Sequence, residues 1–268
     1  MNVAVLGSGS WATALAKIVM HNVAEINWYI RKQETIDEFR EIRRNPNHLE
    51  WAYFDISRIN FSNDINQVLS EAELVILAVP SPYVKDVLAE ITVDMSQKKV
   101  ISAVKGMIPG DNILVTDYLH EHFHIHENNL GMITGPCHAE EIALERLSYL
   151  TLGCKDTANA TEWQKLFDTP YVRTTPSNDM KGLEYASVMK NIYAIAAGMC
   201  TSLRYGDNFQ AVLLTNAMHE IVRFTKAVSD VPRDITDSGY LGDVLVTAYS
   251  NFSRNRQFGQ MIGMGYSV

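Results

Sequence analysis

The sequence predicts an α/β protein: an N-terminal Rossmann-like doubly wound domain followed by an all-helical C-terminal domain. Three observations carry this. Short apolar runs ended by turn residues alternate with helical patterns through the first two-thirds of the chain, the rhythm of a parallel sheet. The first run enters Gly7-x-Gly9-x-x-Ala12 and then a helix. After Asp179 the pattern is helical throughout.

Val3–Leu6 is the first strand. Gly7 permits the tight turn, Gly9 lets backbone amides approach a pyrophosphate, and Ala12 keeps helix and strand close. The helix that follows sets Trp11, Ala14, Leu15, Ile18 and Val19 on one face. Placed between the first strand and first helix, the glycines read as a nucleotide-binding turn rather than a stray string. The second strand, Ile26–Ile30, ends at Arg31-Lys32, where an NAD site usually has an acid for the ribose hydroxyls. The pair suits a 2′-phosphate, so the cofactor is read as NADP(H) or NAD(H), leaning to NADP(H). Solvated surface charge is the other reading of the two cations.

Strands follow at Leu74–Val79, Val100–Val104, Gly131–Thr134 and Tyr149–Leu152. Val100–Val104 leads into Lys105, which either points into the ligand crevice at the carboxyl edge of the sheet or is merely exposed. Gly131–Thr134 runs into Gly135-Pro-Cys-His-Ala-Glu-Glu141, a turn on the same edge, and turn chemistry accounts for its Gly and Pro equally well. Cys137 has no activating partner nearby that would make it a nucleophile. Thr169–Asp179, with Pro170, Pro176, Ser177 and Asn178, reads as a linker, giving a dinucleotide-binding domain at 1–177 and a helical substrate domain at 178–268. The cleft between them is the expected site.

Leu183–Gly198 is apolar on nearly every face, as in a helix packed inside the protein, yet carries Lys190 in its middle. A lysine is seldom buried unpaired, and its helical neighbours Ala186, Ser187, Tyr193 and Ala194 are not acidic. Either its head snorkels to water, or it lies in a cleft where desolvation makes it a good acid catalyst. Phe209, Leu213, Ala217, Ile221, Phe224 and Val228 mark a second long helix. Ser253-Arg-Asn-Arg256 is a helix start with Ser253 as N-cap. Its amides, hydroxyl and Arg254 serve equally as a phosphate seat.

With 47% hydrophobic and 20% charged residues, the composition is that of a soluble globular protein. A net charge of −8 argues against a nucleic-acid surface or a polybasic membrane patch, so an anionic substrate needs local cations. No apolar run is long enough to span a bilayer, so no membrane insertion is expected. The strand at the very start argues against a signal peptide, and Cys137, Cys154 and Cys200 suit a reducing compartment; the expected location is cytoplasmic. His120, His122, His124 and His126 alternate in a polar, loop-like segment that lacks further ligands, so no metal is expected.

Together the motifs resemble the bacterial NAD(P)-dependent sn-glycerol-3-phosphate dehydrogenase family. The likeness rests on Gly7-Ser-Gly-Ser-Trp-Ala-Thr-Ala-Leu-Ala16, Val79-Pro-Ser81, Lys105-Gly106 and Gly135-Pro136 with Ala139. It continues through Asp179-x-x-Gly182-x-Glu184, Lys190-Asn191-x-x-Ala-Ile-Ala-Ala-Gly198, Leu241-Gly-Asp243 and Ser253-Arg-Asn-Arg-x-Phe-Gly259. The resemblance implies reversible reduction of dihydroxyacetone phosphate to sn-glycerol 3-phosphate, supplying glycerophospholipid synthesis, with Lys190 as the proton donor. It implies substrate contacts from Lys105, Gly135, Cys137, Lys190, Asp243, Ser253, Arg254 and Asn255. Its cofactor contacts are Ser10, Trp11, Arg31, Lys105, Ala139 and Arg254, beside the turn at Gly7 and Gly9 and the neighbouring Lys32. The partner implied is a small phosphate substrate, and a homodimer is left open.

Three features depart from the family's pattern. Cys137 stands where serine or threonine is usual, weakening an expected hydrogen bond. Asp237-Ser-Gly-Tyr-Leu-Gly242 is bulkier and more polar than the family's small apolar run. The family also continues past the position of Val268, through several helices and a Val-Val-Glu-Gly segment whose glutamate helps to hold the cofactor, so weaker cofactor binding is expected here. Two other readings stand beside the dehydrogenase: a related 3-hydroxyacid dehydrogenase, and a non-catalytic nucleotide-binding protein. The phosphate seat at 253–256 favours the first reading.

Overall fold

The computed structural model describes residues 1–267. Strands β1 (Val3–Leu6), β2 (Ile26–Tyr29), β3 (Ile59–Ser62), β4 (Leu74–Leu77), β5 (Lys99–Ser102), β6 (Leu130–Thr134), β7 (Ser148–Cys154) and β8 (Val172–Ser177) form one sheet in the order β3-β2-β1-β4-β5-β6-β7-β8. Every neighbouring pair is parallel except β6 and β7. β1 and β4 are buried along their whole length, as continuous apolar strands must be when helices cover both faces. Alternation splits them: Val3 and Val5 join one core with Trp28 and Trp163, while Ala4 and Leu6 join the other with Val84 and Leu183. The winding reverses between β1 and β4, which opens the ligand crevice at their carboxyl ends.

Helices α1 (Ser10–Val19), α2 (Gln33–Ile42), α3 (Ile65–Ser70), α4 (Val84–Ala89), α5 (Val115–Phe123), α6 (Ala139–Ala143) and α7 (Thr157–Phe167) accompany the strands. Then come α8 (Met180–Ser202), α9 (Gly206–Val228), a single π-helical turn at Ser238–Gly242, α10 (Asp243–Tyr249) and α11 (Arg254–Gly263). α8 packs through Met180, Leu183 and Ala186 into the second core, so the helical part is seated on the sheet. Gly198 and Gly259 bring α8 and α11 together backbone to backbone: a Cβ at either would collide with a carbonyl of the other helix, Arg256 O and Ile195 O respectively.

The structure corrects several expectations. The supposed linker at 169–179 contains β8, paired with β7 from Val172 to Ser177. Its prolines mislead because β8 lies at the sheet edge, where Pro176 costs no ladder bond on the open side. β3 has no counterpart in the sequence reading. The inner face of α9 is Gln210, Leu214, Ala217, Ile221 and Thr225, whereas Phe209, Phe224 and Val228 are exposed. The histidine segment is helix α5 and a turn rather than a loop. His120 and His122 bond the backbone oxygens of Ile125 and Tyr118, and His126 accepts from the Asn128 N–H.

Candidate active site

A cleft of about 580 Å³ lies between the carboxyl ends of the central strands and helices α8, α10 and α11. On the sheet side, Gly7 has φ +118°, and a Cβ there would meet the Ala78 carbonyl oxygen at 2.5 Å. Glycine is therefore required at this turn. Two side chains hold the loop from behind: Trp28 Nε1 donates to Gly7 O at 2.7 Å, and Asn45 Nδ2 to Ser8 O at 2.9 Å. Gly9 is the N-cap of α1, and a Cβ on it would find nothing within 4 Å. The first-turn amides of α1 thus face an open cradle, the arrangement that receives an anion. Trp11 Nε1 is buried on this wall without an acceptor, a donor that a bound group would satisfy. Lys105 Nζ stands 4.6 Å from the centre of the Trp11 ring. These features fit the pyrophosphate and adjoining parts of a dinucleotide.

On the opposite wall, Lys190 is only 3% exposed. Its Nζ donates to Asp243 Oδ1 at 2.5 Å, and Thr134 Oγ1 donates to the other carboxylate oxygen at 2.7 Å. Burial lowers the pKa of the Lys190 ammonium, Asp243 opposes the shift, and Lys105 adds to it. A buried lysine with a lowered pKa, a fixed counter-ion and an open side toward the cleft is suited to give and take a proton.

The remaining candidates divide by position. Gly9, Ser10, Trp11, Lys105, Cys137, Ala139, Lys190, Ser253, Arg254 and Asn255 all line the cleft. Gly7, Gly135 and Asp243 stand behind it: Gly135 has φ +130° and a Cβ would meet Tyr149 O at 2.5 Å, so its part is to turn the chain. Arg31 and Lys32 are exposed beyond the end of β2, outside the cleft lining, with Lys32 immediately before α2. Burial pushes the Cys137 thiol up to about 11, and its Sγ lies 3.4 Å from Gly135 O, so it stays a neutral thiol and not a nucleophile. Ser253 caps α11 by accepting from Arg256 N at 3.3 Å. Asn255 Nδ2 donates to Asn191 Oδ1 at 2.9 Å, tying the start of α11 to α8 beside Lys190.

Some groups here escaped sequence reasoning. Thr134 ends a predicted strand, and its position at the carboxyl edge was the available signal. His48 lines the cleft with its Nδ1 3.2 Å from Ser10 Oγ, but it comes from an irregular stretch with no periodicity to flag it. His138 also faces this region; burial, with Lys105 next, lowers its pKa, and its Nε2 is buried without a partner. Among the described residues, no three His, Cys, Asp or Glu side chains converge on a metal position.

Residues 2–160 match the family model described as the NAD-dependent glycerol-3-phosphate dehydrogenase N-terminus, and residues 179–268 match the corresponding C-terminus. The chain is 34% identical to a glycerol-3-phosphate dehydrogenase [NAD(P)+] of an Exiguobacterium species, over 98% of this chain and 78% of that one. It is 30% identical to the enzyme of the same name from Staphylococcus aureus, over 99% and 80%. The crystal structure of glycerol-3-phosphate dehydrogenase from Coxiella burnetii shares the fold with a TM-score of 0.88 at 24% identity, covering 99% of this chain and 81% of that one. The Plasmodium falciparum glycerol-3-phosphate dehydrogenase structure gives 0.87 at 26% identity, covering 97% and 77%.

Proposed function

The chain belongs to the NAD-dependent glycerol-3-phosphate dehydrogenase family, and we propose from that premise how its own residues carry the reaction. It is an NAD(P)-dependent oxidoreductase that interconverts dihydroxyacetone phosphate and sn-glycerol 3-phosphate. The bound nicotinamide supplies or accepts the hydride. Lys190 gives its proton to the carbonyl oxygen as the carbon is reduced, so the C=O bond becomes CH–OH, and it takes the proton back in the reverse direction. Asp243, held by Thr134, keeps the Lys190 ammonium oriented and charged until the alkoxide develops. Ser253, Arg254 and Asn255 seat the substrate phosphate at the start of α11, with Lys105 adding charge between substrate and cofactor. Cys137 closes the substrate side, Gly135 turns the chain behind it, and Ser10, Trp11, Ala139 and the Gly7–Gly9 turn hold the cofactor. Arg31 and Lys32 receive a 2′-phosphate, which favours NADP(H).

At the coarser scale, residues 1–177 bind the dinucleotide and lend Lys105 and Cys137 to the substrate, and 178–268 supply the phosphate seat and the catalytic lysine. The proposal extends to a cytoplasmic enzyme that feeds glycerophospholipid synthesis. No described helix is long and apolar enough to cross a membrane. The buried Lys190–Asp243 pair facing the α1 cradle across one cleft carries this reading. The test is oxidation of NADPH and NADH by the purified protein with dihydroxyacetone phosphate or a small 3-oxo acid. Turnover of the phosphate substrate alone is expected. Turnover of only the acid would move the chain to the related hydroxyacid dehydrogenases, and cofactor binding without turnover would leave a nucleotide-binding protein.

A further inference from the structure

We propose that Tyr240 is a positioning residue, setting the Lys190–Asp243 pair from a distance through the carboxylate of Asp179. The inference rests on the reading of Lys190 as proton donor. Asp179 is 2% exposed and serves two elements at once. As N-cap of α8 it accepts the Gly182 N–H at 3.1 Å, fixing the start of the helix that carries Lys190. The same carboxylate accepts the Tyr240 hydroxyl and a forked pair from Arg233, Nε at 2.5 Å and Nη2 at 3.2 Å. Tyr240 is 3% exposed and sits in the middle of the π-helical turn Ser238–Gly242, which delivers Asp243 as the first residue of α10.

A π-helical turn is an uncommon backbone and persists where side chains hold it. Here it is also pressed onto α8, since a Cβ on Gly239 would meet Leu183 Cδ2 at 2.8 Å and Thr151 Oγ1 at 2.9 Å. The two halves of the buried ion pair therefore belong to elements that share one carboxylate. The polar bulk of Asp237–Gly242 has a use in this arrangement: an apolar or small residue at 240 would leave the turn without its tie to Asp179.

The consequence is electrostatic. Asp243 from α10, Lys105 after β5, and Cys137 and His138 before α6 interact with Lys190, and His48, Glu140 and Arg254 line the same cleft. Asp243 is the anion bonded to the ammonium, and Glu140 is not among the groups that act on Lys190. If the turn relaxes and Asp243 withdraws, burial and Lys105 both act to strip the proton from Lys190 at lower pH. Reduction requires protonated Lys190, so its alkaline limb moves to lower pH.

The experiment compares Tyr240→Phe with the unmodified protein in the pH profile of kcat for dihydroxyacetone phosphate reduction at saturating NADPH. The ring and its packing stay, and only the hydroxyl is lost. The expected result is an alkaline limb about one pH unit lower. With it comes a roughly tenfold fall in plateau kcat, while the KM for NADPH is unchanged. A folded Tyr240→Phe protein whose limb has not moved overturns the proposal, whatever its kcat. Should that variant fail to fold, Arg233→Lys, which loses the forked grip on Asp179, is expected to move the limb the same way, and an unmoved limb overturns the proposal again. Lys190→Ala is measured in parallel. Full activity in that variant would remove the proton-donor reading itself, an outcome distinct from a Lys190-dependent enzyme indifferent to Tyr240.

Discussion

Lys190 is legible as a functional residue because an ammonium inside an apolar helix demands an explanation, and no neighbour on its own helix provides one. Its partner was not legible: Asp243 lies 53 residues away, and only the fold brings the two to 2.5 Å. Glu184 presents the same problem with opposite sign. It is fully buried beside the start of α5, accepting from Val115 N, Thr116 N and the Thr116 hydroxyl. Burial nevertheless raises its carboxyl from 4.5 to about 7. A folded pKa above the unfolded one means that the native state holds the extra proton between those values, so this group's contribution to stability falls as pH rises through that window. Glu184→Gln keeps an acceptor for the amides and removes the ionisation. Its melting temperature is expected to decline less than that of the unmodified protein between about pH 4.5 and 7, and parallel declines would contradict the assignment. At the cofactor end, Arg31→Ala with Lys32→Ala is expected to raise the KM for NADPH about tenfold, roughly 1.4 kcal/mol of binding, and leave that for NADH nearly unchanged. Equal effects on both cofactors would return the two cations to the solvated surface.

The elements most legible in the sequence are those whose local chemistry agrees with their tertiary role. β1, the Gly7 turn and α1 combine a buried apolar run, a required positive φ and an amphipathic helix in direct succession. β8 failed the same reading because edge placement, which is a property of the whole sheet, is what makes Pro176 tolerable. The periodic residues that marked α9 located the helix, although only some of them are buried: Ala217 and Ile221 face inward, while Phe209, Phe224 and Val228 are exposed. The contact of α8 with α11 rests on Gly198 and Gly259, which the sequence shows only as the ends of two motifs 61 residues apart. It fixes the distance between Lys190 and the proposed phosphate seat at 253–255. Gly259→Ala gains up to about 1 kcal/mol in helix propensity. It must also force the Ile195 carbonyl away, an overpacking cost of about 1–3 kcal/mol or more. The clash dominates, so the variant is expected to melt earlier and to bind substrate more weakly, with KM for dihydroxyacetone phosphate rising more than KM for NADPH. A more stable Gly259→Ala protein would show that the helices separate freely.

At the scale of the whole molecule, a doubly wound sheet presents the Gly7–Gly9 turn and a helical layer presents Lys190, and one cleft of about 580 Å³ joins the two walls. That architecture was readable because topology places ligands at the carboxyl edge of the sheet regardless of sequence detail. What could not be read was the closure of the cleft, which depends on α8, α10, α11 and the turn before Asp243 meeting at distances no spacing rule encodes. The central claim is that Lys190 protonates the substrate oxygen during hydride transfer. Its most direct test is the single-turnover rate of NADPH oxidation in the preformed cofactor complex, after mixing with saturating dihydroxyacetone phosphate, for the unmodified protein and Lys190→Ala. The expected result is a fall of about a thousandfold for the variant with cofactor affinity preserved. Equal rates in the two proteins would contradict the claim.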